Sequence, residues 1–265
     1  MVGFPAPVLL ATPLQLRLMN ETIRTQLNHR TIREFTSEPV TEEMLDQIFH
    51  VALHTPTSLG MQTASIIRVT DPKLREQLTA IGAQEYVGRA PIYLLFIVDL
   101  HRTKRILAHN DAPTEPAGYP RNFVQGFTDA CLMAQNVCIA AESLGLGVNF
   151  LGNVHNDAAA VIDVLALPEL TFPVVGMTLG WPNQSPQLKP RMPKSLRIME
   201  NGYHEPEDWS ESMTAYDSTM TTYYDLRNAN QRVDSFTIQT LQKNPPIKDN
   251  RDLTFEIARS QGFDL

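Results

Sequence analysis

Residues 122–144 constrain the fold more than any other stretch of this chain. They are apolar on most faces, with polar residues such as Asp129, Gln135, Asn136 and Glu142 on the rest, and they end at Gly145. A helix that is apolar all round is a buried helix, and glycine is the residue expected just past its end. This segment is therefore predicted to be the spine of the molecule or a subunit interface. Cys131 and Cys138 lie seven apart within it, on one face and two turns apart. Two thiols inside one helix cannot build a disulfide framework and are too few for a zinc centre, so buried free thiols are expected.

The chain has 265 residues, of which 43% are apolar and 19% charged, so it can bury a core and is not disordered. Around the long helix, the pattern predicts a helix over 14–27 and a second from Thr41 to about Leu53, capped by the Thr41 hydroxyl with acids in its first turn. A strand is predicted over 63–70, then a helix capped by Asp71 with Pro72 at its first position. Residues 92–98 read as a buried central strand, too short and too uniformly apolar for an amphipathic helix. Short strands are expected over 148–151 and 172–179, with a helix over 157–165 between them. Beyond Trp181-Pro182 the composition turns polar, with helices expected over 209–226 and 253–261. The fold class is α+β, with a helical C-terminal extension. Three segments are expected: 1–28 with the first helix, a core over 29–182, and an extension over 183–265 belonging to the same domain.

Charge and hydropathy exclude several functions. The net charge of −7 offers no basic field for nucleic acid. Residues 1–19 lack a basic segment followed by an apolar core, and the longest apolar run, 91–98, is far too short to span a bilayer. No membrane association and a cytoplasmic location are expected. Gly145, Gly147 and Gly152 fall between a helix and a strand, the reverse of the order a dinucleotide fingerprint needs. His50 and His54 lack an intervening acid and a third ligand, so no metal site is expected.

Any anionic ligand must then be held locally, and two basic clusters stand out. His29-Arg30-Thr31-Ile32-Arg33 gathers cations and a hydroxyl on the turn after the first helix, which suits a phosphate. Taken alone, these cations could equally complement a helix C-terminus. Lys189-Pro190-Arg191 follows a strand and a Trp-Pro turn, and Pro190 holds the chain extended so that Lys189 and Arg191 project to the same side.

The ordered set H-R-T-I-R-E-F-T, S-I-I-R-V-T-D, A-Q-N, A-A-E-S-L-G-L-G, L-G-W-P and L-K-P-R resembles the oxygen-insensitive NADPH nitroreductases and NADPH–FMN reductases of the FMN-dependent nitroreductase family. The resemblance runs from about His29 to Arg191 and more weakly to the C-terminus. It implies an intertwined homodimer built on a central, mostly antiparallel sheet wrapped by helices, with FMN at the subunit interface. His29, Arg30, Thr31, Lys189 and Arg191 would surround the FMN phosphate. Arg33 would reach the N1/O2 edge of the flavin, where two-electron reduction places negative charge. Gln84 would hydrogen-bond the pyrimidine edge. Leu151, Gly152 and Asn153 would lie against the ring, and Thr57 and Ser58 would reach it from the partner subunit. Arg227 and Arg232, five apart in a polar loop, would meet the 2′-phosphate of NADPH; as bare residues they could be a solvated charged loop.

The resemblance further implies ping-pong reduction of small aromatic acceptors, namely nitro compounds, quinones or free flavin, with no protein group acting as catalytic acid or base. Two other readings are a flavin reductase serving a partner monooxygenase and a non-catalytic FMN-binding protein. Departures from the family pattern fall at Thr31 for serine, Leu59 in a serine-rich run, and Asn153 for the second glycine of a Gly-Gly pair. Asn153 is expected to put a side chain near the ring, and the proline-containing segment 109–121 to remodel the pocket lid.

Overall fold

The computed structural model describes residues 20–225, 231–244, 246 and 249–265, apart from the side chains of 225, 231 and 232. The apolar segment forms one helix, Pro120–Ser143, with Pro120 in its first turn and Gly145 beyond its end at φ +84°. It packs across an antiparallel sheet of β1 (Ala64–Arg68), β2 (Ile92–Asp99), β3 (Gly147–Leu151) and β4 (Thr171–Gly180), in spatial order β1-β2-β4-β3. The helix comes close because Gly126 has no side chain: a Cβ there would sit 2.7 Å from Val98 Cγ1. As predicted, β2 is a central strand, buried along all but its last residue.

Local signals placed most elements. Thr41 Oγ1 accepts from Met44 N at 3.2 Å to start the helix Glu42–Leu53, and Asp71 accepts from Lys73 N at 2.7 Å to start Pro72–Gly82. Asp157 likewise caps Ala158–Val164, accepting from Ala160 N at 2.9 Å.

Other expectations need correction. The first described helix is Glu21–Leu27, started by Asn20 in extended backbone, so no helix runs unbroken over 14–27; residues 1–19 lie outside the described ones. The helix expected over 209–226 is Trp209–Met220, and the chain then turns into a two-residue hairpin of β5 (Tyr224–Asp225) and β6 (Gln231–Arg232). Pro173 lies within β4, opposite Ile97 where the register shifts, a place that tolerates a missing N–H. Helices Tyr86–Arg89, His101–His109 and Phe236–Lys243 were not anticipated. Cys138 is buried, with Sγ 3.9 Å from His29 Nδ1, but Cys131 is exposed, contrary to expectation. In segment 109–121 the Gly118 carbonyl accepts from Asp264 N at 2.9 Å and fastens residues near 264.

Ala258 and Phe263 join the main core, while Met213, Tyr216 and Met220 form a second cluster with Met192, Leu196, Val233 and Phe236. Among the described residues no helix is long and apolar enough to cross a membrane.

One buried group gives the fold a pH dependence. His155 is hydrogen-bonded at 2.8 Å to the Val174 carbonyl and stacks on Phe172, and burial lowers its pKa below 6.5. Between that lowered value and 6.5 the unfolded chain binds the extra proton, so stability is lost as pH falls through this window. The melting temperature should drop on acidification from neutral pH, and His155→Gln should flatten the part of that slope lying just below 6.5. An unchanged slope in this variant would remove His155 as its source.

Candidate active site

A strip of main chain, residues 31–36, is laid along the free edge of β3 and continues across the end of the sheet. Ile32 N donates to the Val148 carbonyl at 2.9 Å, Thr31 bridges Val148 in parallel, and Thr36 N donates to the Trp181 carbonyl at 2.9 Å. The strip can approach so closely because Gly147 and Gly180 are direct cross-strand partners. Ile32 rests where a Gly147 side chain would be, and Phe35 and Pro91 rest where a Gly180 side chain would be. Gln184 clamps the strip from the other side, its Oε1 accepting from Arg33 N at 2.5 Å and Glu34 N at 3.1 Å.

This placement brings Arg33 to Tyr86, which in turn touches Gln84, 51 positions from Arg33 in the chain. The Arg33 guanidinium carbon is 6.0 Å from the centre of the Tyr86 ring, and Tyr86 Oη donates to Gln84 Oε1 at 2.6 Å. Asn153 Nδ2 donates to the same oxygen at 3.1 Å. Leu151 and Asn153 are buried, while Gly152 is exposed and a Cβ there would meet nothing within 4 Å. Asn153 turns inward, donating to the Gly82 carbonyl and to Gln84, the residue expected at the pyrimidine edge.

At the other end of the strip, His29 Nδ1 meets Glu142 Oε1 at 2.6 Å. His29, Cys138 and Glu142 carry ligand-type atoms within 4.8 Å of one another. Burial, and secondarily the Glu142 carboxylate, push the Cys138 thiol up to about 12. Glu142 is better understood as the partner that fixes the His29 ring.

The two basic clusters are drawn together only in part. Arg30 Nε donates to the Pro186 carbonyl at 3.1 Å, which sets the first cluster against the chain leading to the second. Yet Arg30 lines a cavity of about 390 Å³ with Glu142 and Gln184, whereas Lys189 and Arg191 line another of about 470 Å³ with Arg197, Tyr216 and Lys243.

Thr57 and Ser58 stand elsewhere again. Thr57 lines a cavity of about 670 Å³ with Phe49, Met61, Arg68 and Met133, and none of the other expected site residues borders it. Arg227 lies outside the described residues, and of Arg232 only the backbone is described, paired with Tyr224.

Reasoning from sequence missed Tyr86, Gln184, Gly82 and the roles of Glu142 and Asp129. The last two were visible as acids interrupting an apolar helix. A buried Asp129 now proves to hold the loop containing Ser58, accepting from Ser58 N at 3.0 Å and from Thr63 Oγ1 at 2.8 Å.

The donor set fits the pyrimidine edge of a flavin. It offers a half-buried guanidinium, a carboxamide whose oxygen is already occupied, and an open strand end at Gly152. Comparison with known proteins agrees with this chemistry. The Nitroreductase family profile matches residues 27–87 and 80–181, and the profile of the Nitroreductase family, C-terminal domain, matches residues 189–265. The chain is 37% identical over 246 residues to the oxygen-insensitive NADPH nitroreductase of Salmonella typhimurium, covering 92% of this chain and 99% of the relative. It is 38% identical over 226 residues to the NADPH-flavin oxidoreductase of Vibrio harveyi, covering 85% and 91%. Among solved structures, the NADPH:FMN oxidoreductase from Vibrio harveyi complexed with NAD+ superposes with a TM-score of 0.81 at 33% identity, covering 92% of this chain and 99% of the other. With the family profile spanning more than half of its length and these relatives matched along most of it, the chain belongs to the Nitroreductase family.

Proposed function

We propose that this protein is an FMN-dependent oxidoreductase that takes electrons from NADPH and delivers them to nitro compounds, quinones or free flavin. The observation that carries the reading is the meeting of Arg33 and Gln84 at Tyr86, beside the open strand end at Gly152. The relatives bear the matching names NADPH nitroreductase, NADPH-flavin oxidoreductase and FMN reductase (NADPH). When bound, FMN supplies the two-electron chemistry, and the protein supplies position and charge. Arg33 holds positive charge at the pyrimidine edge, Gln84 hydrogen-bonds that edge, and Leu151, Gly152 and Asn153 form the floor. His29, Arg30, Thr31, Lys189 and Arg191 serve the phosphate end, and Arg227 with Arg232 the 2′-phosphate of NADPH. We read 183–265 as an extension of the core domain, since Ala258 and Phe263 pack into the main core.

The protein works as a homodimer in this proposal. Thr57 lines a cavity that no strip residue borders, as a residue serving a partner's site would. The long helix also exposes Val124, Cys131 and Leu132, and nearby Leu53, Leu59 and Met61 are exposed as well. Burying such a patch is the usual reason to associate. Leu132→Glu should shift sedimentation from dimer to monomer and reduce FMN occupancy together; a Leu132→Glu dimer with full occupancy would move the interface elsewhere. A cytoplasmic location accords with the lack of any membrane-crossing helix among the described residues and with free thiols.

The direct test is the visible spectrum of the purified protein, followed anaerobically as NADPH is added. Flavin bands that bleach on addition support the reading, whereas a colourless protein that takes up no FMN overturns it. Within that experiment, Arg33→Ala is expected to slow flavin reduction at least tenfold, about 1.4 kcal/mol in the barrier, while FMN occupancy changes less. Equal losses in rate and occupancy would remove Arg33 from the N1 edge.

A further inference from the structure

The Gly82 carbonyl cannot be turned round, and it fixes the orientation of every amide near it. As a main-chain oxygen it only accepts, so the atoms facing it must be donors. Asn156 Nδ2 reaches it at 3.2 Å and Asn153 Nδ2 at 3.3 Å. Asn156 is held in that sense from behind, because Arg251 Nε, which can only donate, lies 3.1 Å from Asn156 Oδ1. The Asn153 nitrogen that serves Gly82 also lies 3.1 Å from one terminal atom of Gln84. An amide nitrogen cannot accept, so that Gln84 atom is its oxygen. Tyr86 Oη donates to the same oxygen at 2.6 Å. With two donors on Oε1, the end of Gln84 left for a ligand is Nε2, which has no protein partner among the described residues.

We propose that Asn153 is a positioning residue: together with Tyr86 it locks the Gln84 carboxamide so that the side chain presents N–H donors, and no acceptor, to the ligand. The group this selects is a carbonyl oxygen of the flavin pyrimidine edge, in preference to its imide N–H. The inference rests on the FMN reading above. It also explains Gly82, where a Cβ would lie 2.2 Å from Asn153 Nδ2 and expel it. Asn153 stood out in the chain as a departure, but nothing in the sequence suggests that it meets Gly82, 71 positions away.

The experiment measures the FMN dissociation constant of the apo-protein and the two-electron midpoint potential of bound FMN, for wild type, Gln84→Glu, Gln84→Ala, Asn153→Gly and the double variant Gln84→Ala/Asn153→Gly. Gln84→Glu replaces donors by a carboxylate facing a carbonyl and is expected to weaken FMN at least tenfold. Asn153→Gly leaves Gln84 in place but unlocked, and is expected to weaken FMN about threefold to tenfold. A tenfold loss confined to the reduced form lowers the potential by about 30 mV. In the Gln84→Ala background the Asn153→Gly effect should vanish, since Asn153 acts through Gln84. Gln84→Glu binding FMN as tightly as wild type with an unchanged potential would overturn the proposal. So would an Asn153→Gly penalty of the same size with and without Gln84. Tyr86→Phe, which removes the other donor, gives the same comparison if Asn153→Gly does not fold. Wild type failing to take up FMN would instead sink the cofactor reading itself, and this inference with it.

Discussion

Gly147→Ala is expected to loosen the 31–36 strip from the sheet and to cost the protein both stability and FMN affinity. The added Cβ would fall 2.6 Å, 2.7 Å and 2.8 Å from three atoms of the Ile32 side chain. Ile32 is buried and β-branched, so it has few rotamers into which to retreat. The collision must then be relieved by moving main chain, and the main chain at this point is the strip whose Ile32 N donates to the Val148 carbonyl. Overpacking of this kind typically costs about 1–3 kcal/mol, and a lost hydrogen bond adds about 1 kcal/mol. Arg33 is the next residue along, so any outward shift moves its guanidinium relative to Tyr86 and Gln84. Gly180→Ala should act in the same way through Phe35 and Pro91, the latter 2.7 Å from the added atom. Urea unfolding and FMN titration of apo-protein measure the two losses. Ile32→Ala in the Gly147→Ala background should recover part of the affinity by restoring space. Gly147→Ala with wild-type affinity and stability would show that the strip is not seated by this glycine pair. Gly152→Ala is the stability control, because its Cβ meets nothing within 4 Å.

The role of Gly147 illustrates what could and could not be read from the chain. Periodicity and caps are local properties, so the long helix, the Thr41 and Asp71 helix starts and the buried β2 strand were all legible. A glycine needed for a neighbour's side chain is not local. Gly147 could be rejected as part of a dinucleotide fingerprint, but its pairing with Gly180 under Ile32 and Phe35 depends on tertiary contacts between 32 and 180. The same distinction governs the site. Arg33 and Gln84 were named through resemblance, whereas Tyr86, which joins them, sits in a four-residue helix too short to leave a periodic signal. Asn153 was noticed as a departure and expected near the ring, but its acceptor, the Gly82 carbonyl, belongs to a backbone that sequence does not display. The hairpin Tyr224–Asp225 with Gln231–Arg232 is only two residues per strand, below the length at which alternation can be seen.

Asp129→Ala should be the most damaging single change in the long helix, and its effect on the site should appear in trans. The carboxylate is buried and accepts from Ser58 N at 3.0 Å, Thr63 N at 3.3 Å and Thr63 Oγ1 at 2.8 Å. Between those anchors the backbone passes through positive φ at Leu59 (54°), Gly60 (68°) and Gln62 (53°). A non-glycine residue in that region costs on the order of 1–2 kcal/mol, so the loop holds its shape only while its ends are tied. Removing the acceptor leaves polar groups without partners, each costing about 1–3 kcal/mol if it stays buried. A total loss of about 3–5 kcal/mol is expected on urea unfolding, with amide exchange accelerated first across 57–63. If Thr57 and Ser58 complete the site of the other subunit, the deficit in flavin reduction belongs to that site. Refolding Asp129→Ala chains together with Arg33→Ala chains then yields heterodimers in which one site carries both defects and the other carries neither. Such mixtures should regain close to half the wild-type sites per heterodimer, although each parent homodimer is impaired. Heterodimers no better than their parents would place loop and strip in the same chain's site and remove the composite-site proposal.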